Sequence, residues 1–257
     1  MIKIYENGQM FLEENLTFLQ EDKYASSLIM LNSKGIRETD KRTYLIKVED
    51  DDKALIANRF VPYNILLYGD YECLDELLSF LQDNQYELPG FMCSTEIGDH
   101  LKGYRKIIGM DFMEAYDKSE DSSENISRTV LGDVDELADL SQLFFDECGL
   151  SDKVDRAKIK ERVDSYRVIR KDGKIISMAR YCYNTESSSR ISMVYTRKEY
   201  RGFGYAREVV NACKNEILAE GKVATLNVDQ NNPISNHLYQ SLGFKRVFSQ
   251  GIYMARE

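Results

Sequence analysis

The chain has little with which to bind metals or form disulfides. Its 257 residues include only two histidines, His100 and His237, far apart and without ligand-like company. The five cysteines, Cys73, Cys93, Cys148, Cys182 and Cys213, are odd in number and show no Cys-x-x-Cys spacing. Neither a disulfide framework nor a zinc site is expected, and no other metal site suggests itself. No run approaches the roughly 18 apolar residues of a membrane span, and a basic-then-apolar leader is missing, so the expected compartment is the reducing cytoplasm, with no membrane partner. An excess of basic residues is also lacking: 34 Lys and Arg stand against 43 Asp and Glu, a net charge of −9. That argues against nucleic acid as the main partner and favours cationic substrates. No serine or cysteine stands in a recognisable nucleophile setting, which points away from an acyl-enzyme. There is no tandem repeat in the sequence.

The length allows one to two domains, and 11% aromatic content allows ample core. The most informative segment is Arg201-Gly202-Phe203-Gly204-Tyr205-Ala206. A strand is expected just before it at Ile191 to Thr196. After it, Ala206, Val209, Val210, Cys213 and Ile217 recur at helical spacing as far as Gly221, a residue that ends helices. A glycine-bearing turn between strand and helix places unpaired N–H groups and the positive end of the helix dipole where backbone can close on a phosphate. Gly202 and Gly204 permit the approach and Arg201 adds charge. A P-loop is excluded because no Gly-x-x-x-x-Gly-Lys-Ser/Thr is present, and Arg207 stands where a dinucleotide fingerprint wants a small residue.

About two dozen residues later comes Leu226-Asn-Val-Asp-Gln-Asn-Asn-Pro-Ile-Ser-Asn-His-Leu-Tyr-Gln-Ser-Leu-Gly-Phe244. With this second segment the chain resembles the GCN5-related N-acetyltransferase family. The first segment matches that family's Arg/Gln-x-x-Gly-x-Gly/Ala acetyl-CoA motif at Arg201, Gly204 and Ala206. The second is similar to its strand followed by an Asn-x-x-x-x-Leu-Tyr-x-x-x-Gly-Phe helix. The resemblance covers roughly residues 126 to 257 and implies an α/β acyltransferase fold: a mixed, mostly antiparallel sheet flanked by helices, with one parallel pair splayed to admit the pantetheine arm.

Local patterns agree. Ile126 to Leu131 reads as a strand, Asp133 as the cap of a helix carrying Leu137, Leu140, Leu143 and Phe144. Strands Tyr166 to Arg170 and Ile175 to Asn184 are joined by a hairpin at Asp172-Gly173, and a turn from Thr185 to Ser189 precedes the strand Arg190 to Thr196. After the strand Val223 to Asp229, Asn232 caps a short helix with Pro233 at its first position, ended by Gly243. Residues 1 to 120 form a separate segment: helices around Phe11 and around Tyr24 to Leu31, strands Thr43 to Glu49, Lys53 to Phe60 and Tyr63 to Tyr68, a helix carrying Leu74, Leu77, Leu78 and Leu81, a short helix from Ser94, and a strand Arg105 to Tyr116. The acidic run Glu49 to Asp52 is expected to be a solvated turn. With its turn Leu88-Pro89-Gly90 before the short helix from Ser94, this half resembles the N-terminal part of bacterial two-domain predicted acetyltransferases, and by fold analogy is expected to be a degenerate relative of the acetyltransferase fold. Asp117 to Asn125 reads as the linker.

The resemblance implies acetyl-CoA as co-substrate and a primary amine, on a small molecule or a polypeptide, as acceptor. It also implies the roles of individual residues. Backbone N–H groups near Val194, Tyr195 and Thr196 would face the thioester oxygen. Arg201, Gly202, Phe203, Gly204, Tyr205 and Ala206 would hold the pyrophosphate, with Asn232 and Asn236 beside the pantetheine. Tyr239 matches the family's tyrosine near the cofactor sulfur and would act as general acid, whereas His237 and Cys213 are read as packing or solvent-facing residues. Glu147 and Glu186 could border the acceptor cleft, but no general base is assigned. The N-terminal half is expected to supply acceptor specificity or a homodimer surface and to bind no CoA. The alternative is a non-catalytic acyl-CoA-binding regulator or adaptor.

Overall fold

The computed structural model describes residues 1–119, 125–149 and 153–256, with only the backbone described at 183–185. Residues 120–124 of the expected linker lie outside the described residues. The chain forms two compact units. Unit 1 comprises Met1–Asp111, Asp229–Asn231 and Phe248–Glu257, and unit 2 comprises Phe112–Val228 and Asn232–Val247. A division at residues 120 to 126 leaves out the two returns to unit 1 at 229–231 and 248–257.

Unit 1 begins with β1 (Ile2–Ile4), α1 (Gly8–Gln20) and α2 (Lys23–Ser33). Asn7 starts α1 by accepting the Met10 N–H, and Asp22 starts α2 by accepting those of Tyr24 and Ala25. β2 (Tyr44–Asp50), β3 (Lys53–Arg59) and β4 (Ile65–Gly69) extend an antiparallel ladder from β1. The acidic run closes the β2–β3 hairpin, with Asp51 at φ 51° and Asp50 paired with Lys53. After α3 (Leu74–Asp83), β5 (Phe91–Ser94) pairs in parallel with β4, and α4 (Thr95–Asp99) follows with Ser94 as its cap. β6 (Tyr104–Ala115) starts in unit 1 and ends in unit 2.

Unit 2 repeats that order of elements. β7 (Ile126–Arg128) is followed by α5 (Val134–Glu147) and α6 (Arg156–Glu161), then by β8 (Tyr166–Lys171), β9 (Lys174–Thr185) and β10 (Ser188–Thr196), all antiparallel. α7 (Tyr205–Ala219) crosses to β11 (Val223–Asp229), which pairs in parallel with β10; α8 (Pro233–Ser241) and β12 (Lys245–Ala255) complete the chain. Each unit is therefore a strand, two helices, three strands, a crossover helix, a parallel strand, a short helix and a strand. The final strands are exchanged in part: Gln250–Tyr253 of β12 pair with β5 inside unit 1, while Met113 and Ala115 of β6 lie in the unit 2 core. That pairing is what returns residues 248–257 to unit 1.

Two apolar layers sandwich the unit 2 sheet. One face packs on α7 and α8 through Ile191, Val209, Val210, Cys213, Leu226 and Tyr239. The other packs on α5 and α6 through Leu137, Leu140, Ile159, Tyr166, Met178 and Tyr195. The Asp172-Gly173 hairpin forms with φ 49° and 77°, the two left-handed positions that its turn type demands. Three expectations change. β7 stops at Arg128, and Leu131–Asp133 make a 3-10 turn. Asp133 stands at the N-cap of α5 without a side-chain cap bond, because its carboxylate is taken up by the Val130 N–H at 2.7 Å and an Arg170 N–H at 2.8 Å. The turn expected at 185 to 189 tightens to the two residues between β9 and β10.

Candidate functional site

β10 and β11 begin in parallel register, from Ser188 opposite Val223 to Ile191 opposite Leu226, and there the recorded pairing stops. Beyond that point β10 pairs only with β9, and it bulges. Ser192 faces Arg180 and Tyr195 faces Met178, so three steps on β10 match two on β9. The extra residue is absorbed at Met193, which adopts φ 55°. Met193 and Val194 thus have no register partner on β9 or β11 among the described residues. The family resemblance expects the ligand-facing backbone of this strand at these positions, and Val194 is partly buried there. Tyr195 is buried in the α5 layer, and the Thr196 hydroxyl lies 2.8 Å from that of Ser177.

The turn after β10 has the shape expected of it. Gly202 and Gly204 take φ 82° and 86°, and a Cβ on either would meet nothing within 4 Å. Glycine is required here for backbone conformation, and the space above the turn is open. α7 starts at Tyr205 with Gly204 as an N-cap that offers no side-chain acceptor. The Glu208 amide donates to the Gly204 carbonyl at 3.2 Å. The N–H groups of Gly204, Tyr205 and Ala206 have no acceptor among the described residues, at the positive end of a 15-residue helix. Backbone and dipole there suit a phosphate. Phe203 is 69% exposed, its ring 6.1 Å from that of half-buried Tyr205.

Arg201 is more committed than its motif position suggests. Its Nε donates to the Thr196 carbonyl at 2.9 Å, and its terminal nitrogen meets both oxygens of Glu147 at 3.0 and 2.7 Å. The guanidinium also lies over the Tyr195 ring, 5.5 Å from its centroid. Glu147, at the end of α5, thereby neutralises the cation nearest the turn and leaves the attraction for an anion to the N–H groups. Lys198 approaches the same carboxylate at 3.6 Å. The Glu147 partnership had no local sequence signal, because 54 residues separate the pair. Glu186, in the β9–β10 turn, is exposed.

α8 presents the third component. Asn232 caps it by accepting the Ser235 N–H at 3.0 Å, and the Asn236 amide donates to the Asn232 carbonyl at 2.8 Å. His237 is exposed. Tyr239 is 7% exposed and packs edge-on to Phe244, in the layer that also takes in Val194 and Tyr205. Its hydroxyl is pushed up to about 12, chiefly by burial, with the nearby Cys148 raising it further and a hydrogen bond from Ser235 working the other way. The phenol is therefore protonated throughout the neutral range and available as a donor. Splayed strand, open N–H turn and buried phenol all lie in unit 2. Among the described residues no group of three or more His, Cys, Asp or Glu could hold a metal, and no helix is long and apolar enough to cross a membrane.

Residues 168–252 match the family model described as FR47-like protein, a span that contains β10, the turn, α7, β11 and α8. No curated protein matches the chain. Among solved structures, an acetyltransferase of the GNAT family from Colwellia psychrerythraea is similar over all of both chains, with TM-score 0.65 and 11% identity. A GCN5-related N-acetyltransferase from Sphaerobacter thermophilus is similar over 89% of this chain and 84% of its own, with TM-score 0.62 and 15% identity. At such identities these likenesses establish the fold. The resemblance drawn from the two motifs is borne out by the family match and the fold together, and they support an acyltransferase in general terms.

Proposed function

We propose that the protein is an acetyl-CoA-dependent N-acetyltransferase that moves the acetyl group to a primary amine by direct attack. The observation that carries this reading is the joint occurrence, in one unit, of a bulged and splayed β10 with an uncapped, glycine-built N-terminus on α7. Bound there, acetyl-CoA would supply an activated thioester. The N–H groups from Gly204 to Ala206 hold its pyrophosphate, while Gly202 and Phe203 shape the turn. The backbone at Val194 donates to the carbonyl oxygen as charge develops, and the end of β10 at Tyr195 and Thr196 anchors that donor. Asn232 and Asn236 would lie beside the pantetheine.

Tyr239 serves the departing sulfur. A thiol of ordinary pKa near 8.5 is a stronger acid than a phenol at about 12, so complete proton transfer to the thiolate is uphill. Its contribution is a charge-assisted hydrogen bond held in place by burial. The test is amine-dependent release of CoA thiol by the full-length protein from acetyl-CoA, across a panel of primary amines and amine-bearing peptides, with the acetylated product identified by mass. Release that depends on an amine is expected. Tight CoA binding with no transfer to any amine would overturn the reading in favour of a non-catalytic acyl-CoA-binding regulator.

A further inference from the structure

A row of polar side chains crosses the α5 face of the unit 2 sheet and ends at the β10 bulge. Tyr166 on β8 stands opposite Arg180 on β9, and Arg180 stands opposite Ser192 on β10. Ser141 of α5, wholly buried, lies above Tyr166. The Tyr166 hydroxyl lies near both the Ser141 hydroxyl and the Arg180 guanidinium, and both draw its pKa down against the larger upward pull of burial. Yet Ser141 Oγ, Tyr166 Oη, Arg180 Nε and Ser192 Oγ are all buried without a hydrogen-bond partner of full geometry. Four such atoms in one row are unusual, because each buried polar atom left unmade costs about 1–3 kcal/mol.

Arg180 is the informative member. It has no carboxylate partner among the described residues, and its one ring contact, with Tyr166 at 5.9 Å from the centroid, satisfies no N–H donor. The residue as a whole keeps partial exposure, so the guanidinium is reachable from solvent although Nε is not. A guanidinium that solvent reaches and that no carboxylate of the described residues pairs is open to a ligand's negative charge. Ser192 immediately precedes the bulge, so whatever binds along this row ends next to the backbone that would hold the thioester.

We propose that Arg180, set between Tyr166 and Ser192 in the sheet, forms an acceptor subsite for a carboxylate, so that the substrate is an amine that also carries a carboxyl group, as an amino acid or a peptide does. This rests on the acetyltransferase reading. A planar guanidinium suits a planar monoanion, and its solvent-reachable end, rather than the enclosed hydroxyls, would make the contact. The chain's net charge of −9 favours cationic acceptors in bulk, but one local fork outweighs a distant, screened surface charge at the point of contact.

The experiment compares each of the common amino acids, and a set of dipeptides, with its carboxamide. The full-length protein is assayed for acetyl transfer from acetyl-CoA and for melting-temperature shift in the presence of CoA. The acids should be acetylated about 10- to 100-fold more efficiently than the matched amides, and should stabilise the protein where the amides do not. Arg180→Met should erase both differences; its CoA-induced shift reports that it is folded, and Arg180→Lys or Ser192→Ala should weaken the preference without unfolding the sheet. Amides acetylated as well as acids, or a preference that survives in Arg180→Met, would overturn the carboxylate subsite while leaving the acetyltransferase reading intact. Acids that bind in an Arg180-dependent way but are never acetylated would sink the activity and keep the subsite. Acids that neither bind nor react better than amides would sink the subsite.

Discussion

Tyr239 separates the chemistry from the packing most cleanly, because removing one oxygen leaves the ring against Phe244. Tyr239→Phe should slow single-turnover acetyl transfer by about 10- to 100-fold, the worth of one hydrogen bond to a charged group, with CoA affinity unchanged. Burial also fixes the sign of the pH dependence. With its hydroxyl at about 12, Tyr239 stays protonated past the value near 10 of an ordinary tyrosine, so wild-type rates should show no fall from its ionisation up to that pH. Single-turnover rates equal to wild type in the Phe variant, or a descending limb near 10 that the variant lacks, would remove it from the mechanism. At this scale the sequence was legible wherever a residue's role is local. Gly202, Gly204, Asn232 and Pro233 sit where turn and cap chemistry places them. Met193 was not legible, since nothing in a methionine announces a bulge, and neither were Glu147 and Arg180, whose meaning depends on neighbours distant in the chain or missing altogether.

The elements of unit 2 are tied together by one nearly buried ion pair. Arg167 of β8, 1% exposed, donates through Nε to Glu216 of α7 at 2.6 Å and through a terminal nitrogen to the other carboxylate oxygen; Tyr181 of β9 reaches the same carboxylate at 3.2 Å. Burial raises the Glu216 carboxyl, but the Arg167 hydrogen bonds and charge more than offset it and hold the group below its usual range. A carboxyl depressed in the folded state contributes stability above its unfolded value near 4.3 and loses it as pH falls through the lower folded value. Glu216→Gln should therefore cost about 3 kcal/mol at neutral pH, because it strands a buried guanidinium, and should flatten the acid limb of the melting profile below about pH 4.5. Melts across pH check both; an unchanged acid limb would show that the pair is not linked to folding. Helices and strands with strong periodicity, such as α3, α7 and β2 to β4, follow their sequence patterns closely. The strands that had no expectation, β1, β5 and β12, are short or polar and owe their form to the partners they pair with.

On the scale of the whole molecule, the two units share an order of elements but not a site. Where unit 2 has Arg201 to Ala206 before its crossover helix, unit 1 passes from Gly69 through Asp70, Tyr71, Glu72 and Cys73 straight into α3, whose first turn adds Asp75 and Glu76. Four carboxylates near that helix start oppose a phosphate, so the repeat is visible in the order of elements and not in the residues of the turn. Titration calorimetry of the full-length protein with CoA tests the central claim most directly. One CoA per chain is expected, with binding lost in Gly204→Glu, where a carboxylate is set against the α7 N-terminus. Two equivalent sites per chain, or binding undiminished in Gly204→Glu, would contradict the assignment of the cofactor to the turn from Arg201 to Ala206.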